Sequence, residues 1–144
     1  METVTSPDLV VQIDGGSRGN PGPAGYGVVI RDGAGALCER LHAFVGVQTN
    51  NYAEYCGLLA GLRYALARQA RRVRVLSDSL LLVRQMQGRY AVKSQNLRPL
   101  FEEARALAQQ LPEFSIAHVY RERNREADRL ANQAMDEAKT ASEG

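Results

Sequence analysis

The stretch I-D-G-G-S-R-G-N-P-G-P-A-G-Y-G, Ile13 to Gly27, joins an apolar run to a glycine-rich segment. Leu9, Val10, Val11 and Ile13 precede Asp14, the pattern of a short buried strand. A carboxylate at the end of such a strand is costly unless it is paired or bound to a cation. The glycines that follow let another molecule approach bare backbone amides. An acid beside bare amides suits a metal ion with a phosphate next to it. An ordinary hairpin turn with a surface aspartate has the same local chemistry. No Gly-Lys-Ser/Thr follows, which excludes a P-loop, and a strand rather than a helix comes next, which argues against a dinucleotide fingerprint.

The rest of the chain decides between these readings. Its 144 residues suit one domain with a real core. Apolar residues at 44% and charged residues at 24% are ordinary for a soluble globular protein. A net charge of +2 does not announce nucleic acid, but arginines crowd residues 63–74 and 121–129, as solvated helix faces also do. Cys38 and Cys56 lack the spacing of a zinc site or disulfide framework. Free thiols, a start at Met1–Pro7 unlike a signal peptide, and no apolar run of membrane length lead us to expect a cytoplasmic protein without membrane contact.

Three strands are expected at 8–14, 24–31 and 36–46, with Asp32-Gly33 as a turn, making an antiparallel meander. On the third, Leu37, Leu41 and Phe44 or Val45 are candidates for the core face. Thr49-Asn50-Asn51 caps a helix whose small residues, Ala53, Gly57, Ala60 and Gly61 among them, suggest close packing on a sheet. Val73 to Leu76 form a fourth strand. A short helix then runs from Ser77-Asp78-Ser79 to Gly88, a longer one covers 97–110, and a fifth strand covers 114–120. The last helix starts at Asn124, with Ala127, Leu130, Ala131, Ala134 and Ala138 at helical spacing. We expect a disordered tail over 1–7, one domain over 8–138 and a frayed tail over 139–144. The order is β-β-β-α-β-α-α-β-α, an α/β protein whose later strands are parallel with right-handed crossovers.

Four acids stand at element ends: Asp14, Glu54, Asp78 and Asp128. Each alone also fits a commonplace role: a turn, an exposed helix position, a helix cap, or a first-turn acid favoured by the helix dipole. The topology, however, gathers them at one sheet edge, and sheets of this class bind ligands outside the carboxyl ends of their strands. Converging carboxylates repel unless cations neutralise them. Oxygen-only ligands are of the kind Mg²⁺ or Mn²⁺ prefers, and two ions about 4 Å apart can clamp a phosphodiester.

The blocks D14-G-G-S-R-G-N-P-G-P-A-G-Y-G, T49-N-N-Y-A-E54, S77-D78-S and N124-R-E-A-D128-R-L-A-N resemble type 1 ribonuclease H in content, order and spacing, over about residues 8–138. The resemblance implies a ribonuclease H-like fold: a five-stranded mixed sheet in the order 3-2-1-4-5, its second strand antiparallel, flanked by helices. It implies an endonuclease that cuts the RNA strand of an RNA–DNA hybrid with two divalent metal ions, Mg²⁺ or Mn²⁺, leaving 5′-phosphate and 3′-hydroxyl ends. Asp14, Glu54, Asp78 and Asp128 match the family's metal-binding carboxylates, and Glu54 also matches the residue that touches the RNA 2′-hydroxyl. Gly16 and Ser17 match backbone that lies against the RNA minor groove, and Asn20, Asn50 and Asn51 match side chains that reach the hybrid. Thr49, with Asn96, matches a pocket for a DNA phosphate. The implied partner is the hybrid, bound by a monomer.

Two departures stand out. Many members carry a histidine in the loop before the last aspartate, where this chain has Tyr120-Arg-Glu-Arg-Asn124. Arg123 and Asn124 are the substitutes the resemblance offers, while His118 reads as a structural strand residue. The basic, tryptophan-rich protrusion is missing too, which leaves Arg84, Arg89, Tyr90 and Lys93 as a reduced DNA-side contact. The short form with R-x-R-N is similar to actinobacterial members, in which the domain is often fused to a phosphatase-like partner. A hybrid-binding module without activity, and a nuclease of the same fold with another substrate, are the rival readings. The complete acid set argues against the first, and the T-N-N-x-A-E block against the second.

Overall fold

The computed structural model describes residues 7–143. Strands β1 (Asp8–Ser17), β2 (Gly22–Asp32) and β3 (Leu37–Gln48) form the expected meander, followed by α1 (Asn50–Ala67), β4 (Arg72–Ser77), α2 (Leu80–Met86), α3 (Arg98–Gln109), β5 (Glu113–His118) and α4 (Arg125–Glu143). The sheet order is β3-β2-β1-β4-β5. β1 runs antiparallel to β2 and parallel to β4, and β4 runs parallel to β5.

Alternation along β2 builds the two faces. Val28 and Ile30 pack with Val11 and Ile13 of β1 under Leu58 and Leu62 of α1. Val29, pointing the other way, packs with Ala127 and Leu130 of α4. Gly27 shares the face of Val29, where a Cβ would run into Leu130 and the backbone of Ala127 and Ala131. The missing side chain therefore lets α4 lie directly on the sheet. The small residues of α1 act in the same way, with Gly57 against Tyr26 and Gly61 against Val11.

Several expectations need correction. The first two strands are longer than expected: β1 continues past Asp14 to Ser17 and β2 begins at Gly22, before residue 24, pairing Gly15 with Tyr26 and Gly16 with Gly25. Leu37 and Phe44 do not face the core; they are 41% and 46% exposed. The β2–β3 register slips between Ala24 and Gly25 and again between Ile30 and Arg31. Such a slip inserts an extra residue in one strand and breaks its inside–outside alternation. Leu41, between the slips, packs against the core.

α4 runs on to Glu143, across positions 139–143 expected to fray, with Thr140 Oγ1 donating to the Asp136 carbonyl at 3.1 Å; position 144 lies outside the described residues. The tail expected over residues 1–7 lies outside the described residues except for Pro7, whose carbonyl accepts a hydrogen bond from Arg71 N at 2.9 Å. Among the described residues, no helix is long and apolar enough to cross a membrane.

Candidate metal centre and nucleic-acid interface

Asp14 sits in β1, one residue beyond the last rung shared with β4, where Ile13 pairs with Ser77. Asp78 follows Ser77 directly, so the two acids leave neighbouring parallel strands at the same end. The serines on either side of Asp78 serve the backbone: Ser77 Oγ accepts from Ser79 N at 3.0 Å, and Ser79 Oγ caps α2 through Leu82 N at 3.3 Å. The cap is Ser79, so the Asp78 carboxylate remains available.

Glu54 reaches the same place because α1 lies against Gly15. A Cβ on Gly15 would meet Glu54 Cα at 2.8 Å and clash harder with the Ala53–Glu54 peptide. Only glycine permits this approach, and it brings a helix carboxylate to a strand end. Glu54 is buried, with Oε2 left without a hydrogen-bond partner.

Carboxylate oxygens of Asp14, Glu54 and Asp78 lie within 4.8 Å of one another. Asp128, from the first turn of α4, reaches the Asp14 carboxyl and lines the same cavity of about 670 Å³. Burial, reinforced by the charge of Asp78, pushes the Asp14 carboxyl up to about 8. Burial also raises Glu54 well above its ordinary range, with Asp14 and Asp78 adding to the effect. Acids held this close are poised for a cation that relieves both desolvation and repulsion. The oxygen-only donor set and the unpartnered Glu54 Oε2 fit a hard divalent ion.

The rim brings together some of the expected contact residues. Gly16, Ser17, Asn50 and Asn51 line the cavity. Ser17 N donates to Asn50 Oδ1 at 2.7 Å, and Asn50 N donates to Asn20 Oδ1 at 2.9 Å. This chain holds both asparagines through their carbonyls and leaves their amino groups as donors. Thr49 caps α1 through Tyr52 N, and Asn96 lies exposed in the turn before α3; neither lines the acidic cavity.

The two proposed loop substitutes are not there either. Asn124 is 1% exposed, and its Nδ2 donates to the Ile13 carbonyl at 2.8 Å. Its neighbour Arg123 accepts at its carbonyl from Gln12 Nε2 at 2.9 Å, and its side chain is absent from the cavity wall. Both residues fasten the start of α4 to β1, which fixes Asp128 relative to Asp14. His118 is the imidazole that lines the cavity; it is exposed at the end of β5, with Tyr120 edge-on at 5.6 Å. It is the strand residue expected, and its ring also opens onto the cavity. Arg18, Arg121, Asn132 and Met135 also line the wall, and sequence reading had not singled them out for it. The period of α4 carries a signal for Asn132, which lies one turn beyond Asp128.

Comparison with known proteins agrees with this geometry. A family model described as reverse transcriptase-like matches residues 12–134. The bifunctional protein Rv2228c of Mycobacterium tuberculosis is 51% identical over 132 residues, covering 90% of this chain and 36% of that protein. The chain thus spans about a third of the length of that relative. The solved N-terminal RNase H domain of the same mycobacterial protein superposes with a TM-score of 0.91 at 46% identity, covering 95% of this chain and 99% of that one. LC11-RNase H1, solved in complex with an RNA/DNA hybrid, superposes with a TM-score of 0.85 at 40% identity, covering 91% and 99%. Likeness of this degree over nearly a whole domain, in sequence and in strand order alike, makes the chain a member of the type 1 ribonuclease H family.

Proposed function

We propose that this chain is an endoribonuclease that hydrolyses the RNA strand of RNA–DNA hybrids and leaves 5′-phosphate and 3′-hydroxyl ends. The observation that carries the reading is the cluster of Asp14, Glu54 and Asp78 oxygens within 4.8 Å, at the sheet end that also presents the Asn50 rim. Asp14, Glu54, Asp78 and Asp128 would hold two divalent ions, Mg²⁺ or Mn²⁺. When bound, these ions supply positive charge at the scissile phosphate and make water a better nucleophile.

The chain's own residues supply recognition and position. Glu54, on the cavity wall beside the other acids, accepts the proton of a 2′-hydroxyl, the group that separates RNA from DNA. The amino groups of Asn20 and Asn50, with Asn51, meet the minor groove along the backbone of Gly16 and Ser17. Thr49 and Asn96 receive a DNA phosphate, and Arg84, Arg89, Tyr90 and Lys93 give a smaller DNA-side contact. His118, facing the cavity from β5, assists proton transfer. Residues 8–138 make up the catalytic domain, which acts as a cytoplasmic monomer.

The test is one end-labelled hybrid beside RNA-duplex and DNA-duplex controls, each with Mg²⁺, Mn²⁺ or chelator. Metal-dependent cutting of the hybrid's RNA strand alone is expected, reduced at least 10²- to 10³-fold in Asp78→Asn, about the effect of losing one electrostatic contact to a transition state. Hybrid binding without cutting, or duplex DNA cut as fast as hybrid, overturns the reading.

A further inference from the structure

A second cavity of about 520 Å³ adjoins the acidic one, with Arg121, Arg125 and Arg129 on its wall beside Glu122, Asp128 and Asn132. Arg121, Asp128 and Asn132 belong to both cavities, so the two form a continuous surface. Some arginines elsewhere are committed to carboxylates, Arg18 to Asp136, Arg31 and Arg40 to Glu126, Arg63 to Glu103, and Arg72 to Glu113, while others, such as Arg74 and Arg105, are not paired among the described residues but line neither cavity. Among the described residues, Arg121, Arg125 and Arg129 have no acidic partner within 4.0 Å, and all three are exposed. Arg125 and Arg129 stand one helical turn apart on α4 and share a face. Three guanidinium groups face two carboxylates, and a cation held by Asp128 would tip that balance further towards positive.

We propose that this arginine-lined cavity is a binding groove for backbone phosphates of the RNA strand on one side of the cut. The guanidinium fork matches phosphate oxygens in pairs. A strand whose scissile phosphate lies at the acids passes Asp128 and runs along this wall, and the strand at the acids is the RNA. The assignment rests on the hybrid-nuclease reading above and adds to it a contact outside the acid set and the asparagine rim.

The experiment compares wild type, R121Q/R125Q/R129Q, the matching triple Arg→Lys variant and R105Q. Arg105, on α3, lies in neither cavity, and glutamine keeps helix propensity close to that of arginine. Hybrid binding is followed by fluorescence anisotropy with Mg²⁺ in the D78N background, and cutting by KM in the native background, across a salt series. Each lost phosphate contact lowers the slope of log affinity against log salt by about 0.7 to 0.9. Losing three makes the triple Gln variant about 20- to 40-fold less salt-sensitive between ~50 and ~200 mM.

The triple Lys variant and R105Q should keep the wild-type slope. The deficit should vanish on hybrids whose RNA is shortened on one side of the cleavage site, and persist when only the DNA is shortened. A wild-type slope in the triple Gln variant, or a deficit that follows the DNA strand, overturns the groove. An arginine-dependent slope without cutting by the native protein keeps the groove and overturns the nuclease reading. If the Gln triple melts early, the R125Q/R129Q pair is read against the same criteria, with a slope change of about two contacts.

Discussion

Replacing Asp14 by asparagine should stabilise the metal-free protein, and do so increasingly as pH rises. In the folded state burial, and then the charge of Asp78, lift the Asp14 carboxyl from 3.8 to about 8. The unfolded chain gives up that proton near the ordinary value, so between the two pKa values the folded state holds more protons. Stability of the wild type therefore falls as pH climbs through this window. At about 1.4 kcal/mol per pKa unit, roughly four units correspond to at most about 5 kcal/mol by pH 8. Relaxation and water entering the cavity reduce this, and we expect D14N to gain about 2 to 4 kcal/mol at pH 8 and little near pH 4.

The assay is urea denaturation with chelator across that pH range. Saturating Mg²⁺ should then narrow the gap, because wild type gains stability from an ion that D14N binds poorly. A D14N protein no more stable than wild type at pH 8 without metal would refute the picture of carboxylates crowded in a buried site. So would a gain independent of pH.

Gly15→Ala should cost about 1 to 3 kcal/mol or more, since the new methyl meets the α1 backbone at Ala53–Glu54; an unchanged thermal melt would show that α1 can retreat freely. Asn124→Ala strands the Ile13 carbonyl that its amide now satisfies, a loss of about 1 to 3 kcal/mol, and by loosening Asp128 against Asp14 it should raise the Mg²⁺ concentration needed for half-maximal cutting. His118→Ala, at an exposed position, should leave the melt unchanged and slow cutting about 10²-fold, the low end for a placed proton-transfer group. A rate within twofold of wild type would remove His118 from the reaction.

The sequence by itself determined the sheet and the acids. Asp14 and Asp78 were legible because each ends an apolar run, and strand ends become neighbours once the β-α-β order imposes parallel pairing. Asp128 and Glu54 were legible through helical period and the family's motif blocks. These signals are local, or follow from the order of elements. Leu37 and Phe44 were misread because their direction depends on register slips against β2, a property of two strands and not of one. Arg123, Asn124 and His118 are placed differently from the expectation for a similar reason. Asn124 sits beside Asp128 in sequence, yet its amide turns inward to the Ile13 carbonyl 111 residues away. His118 has the same strand parity as buried Ile116, but it lies at the end of an edge strand and opens onto the cavity. Which way a polar side chain turns at the end of an element is set by what packs against it, and only the assembled tertiary structure supplies that neighbour.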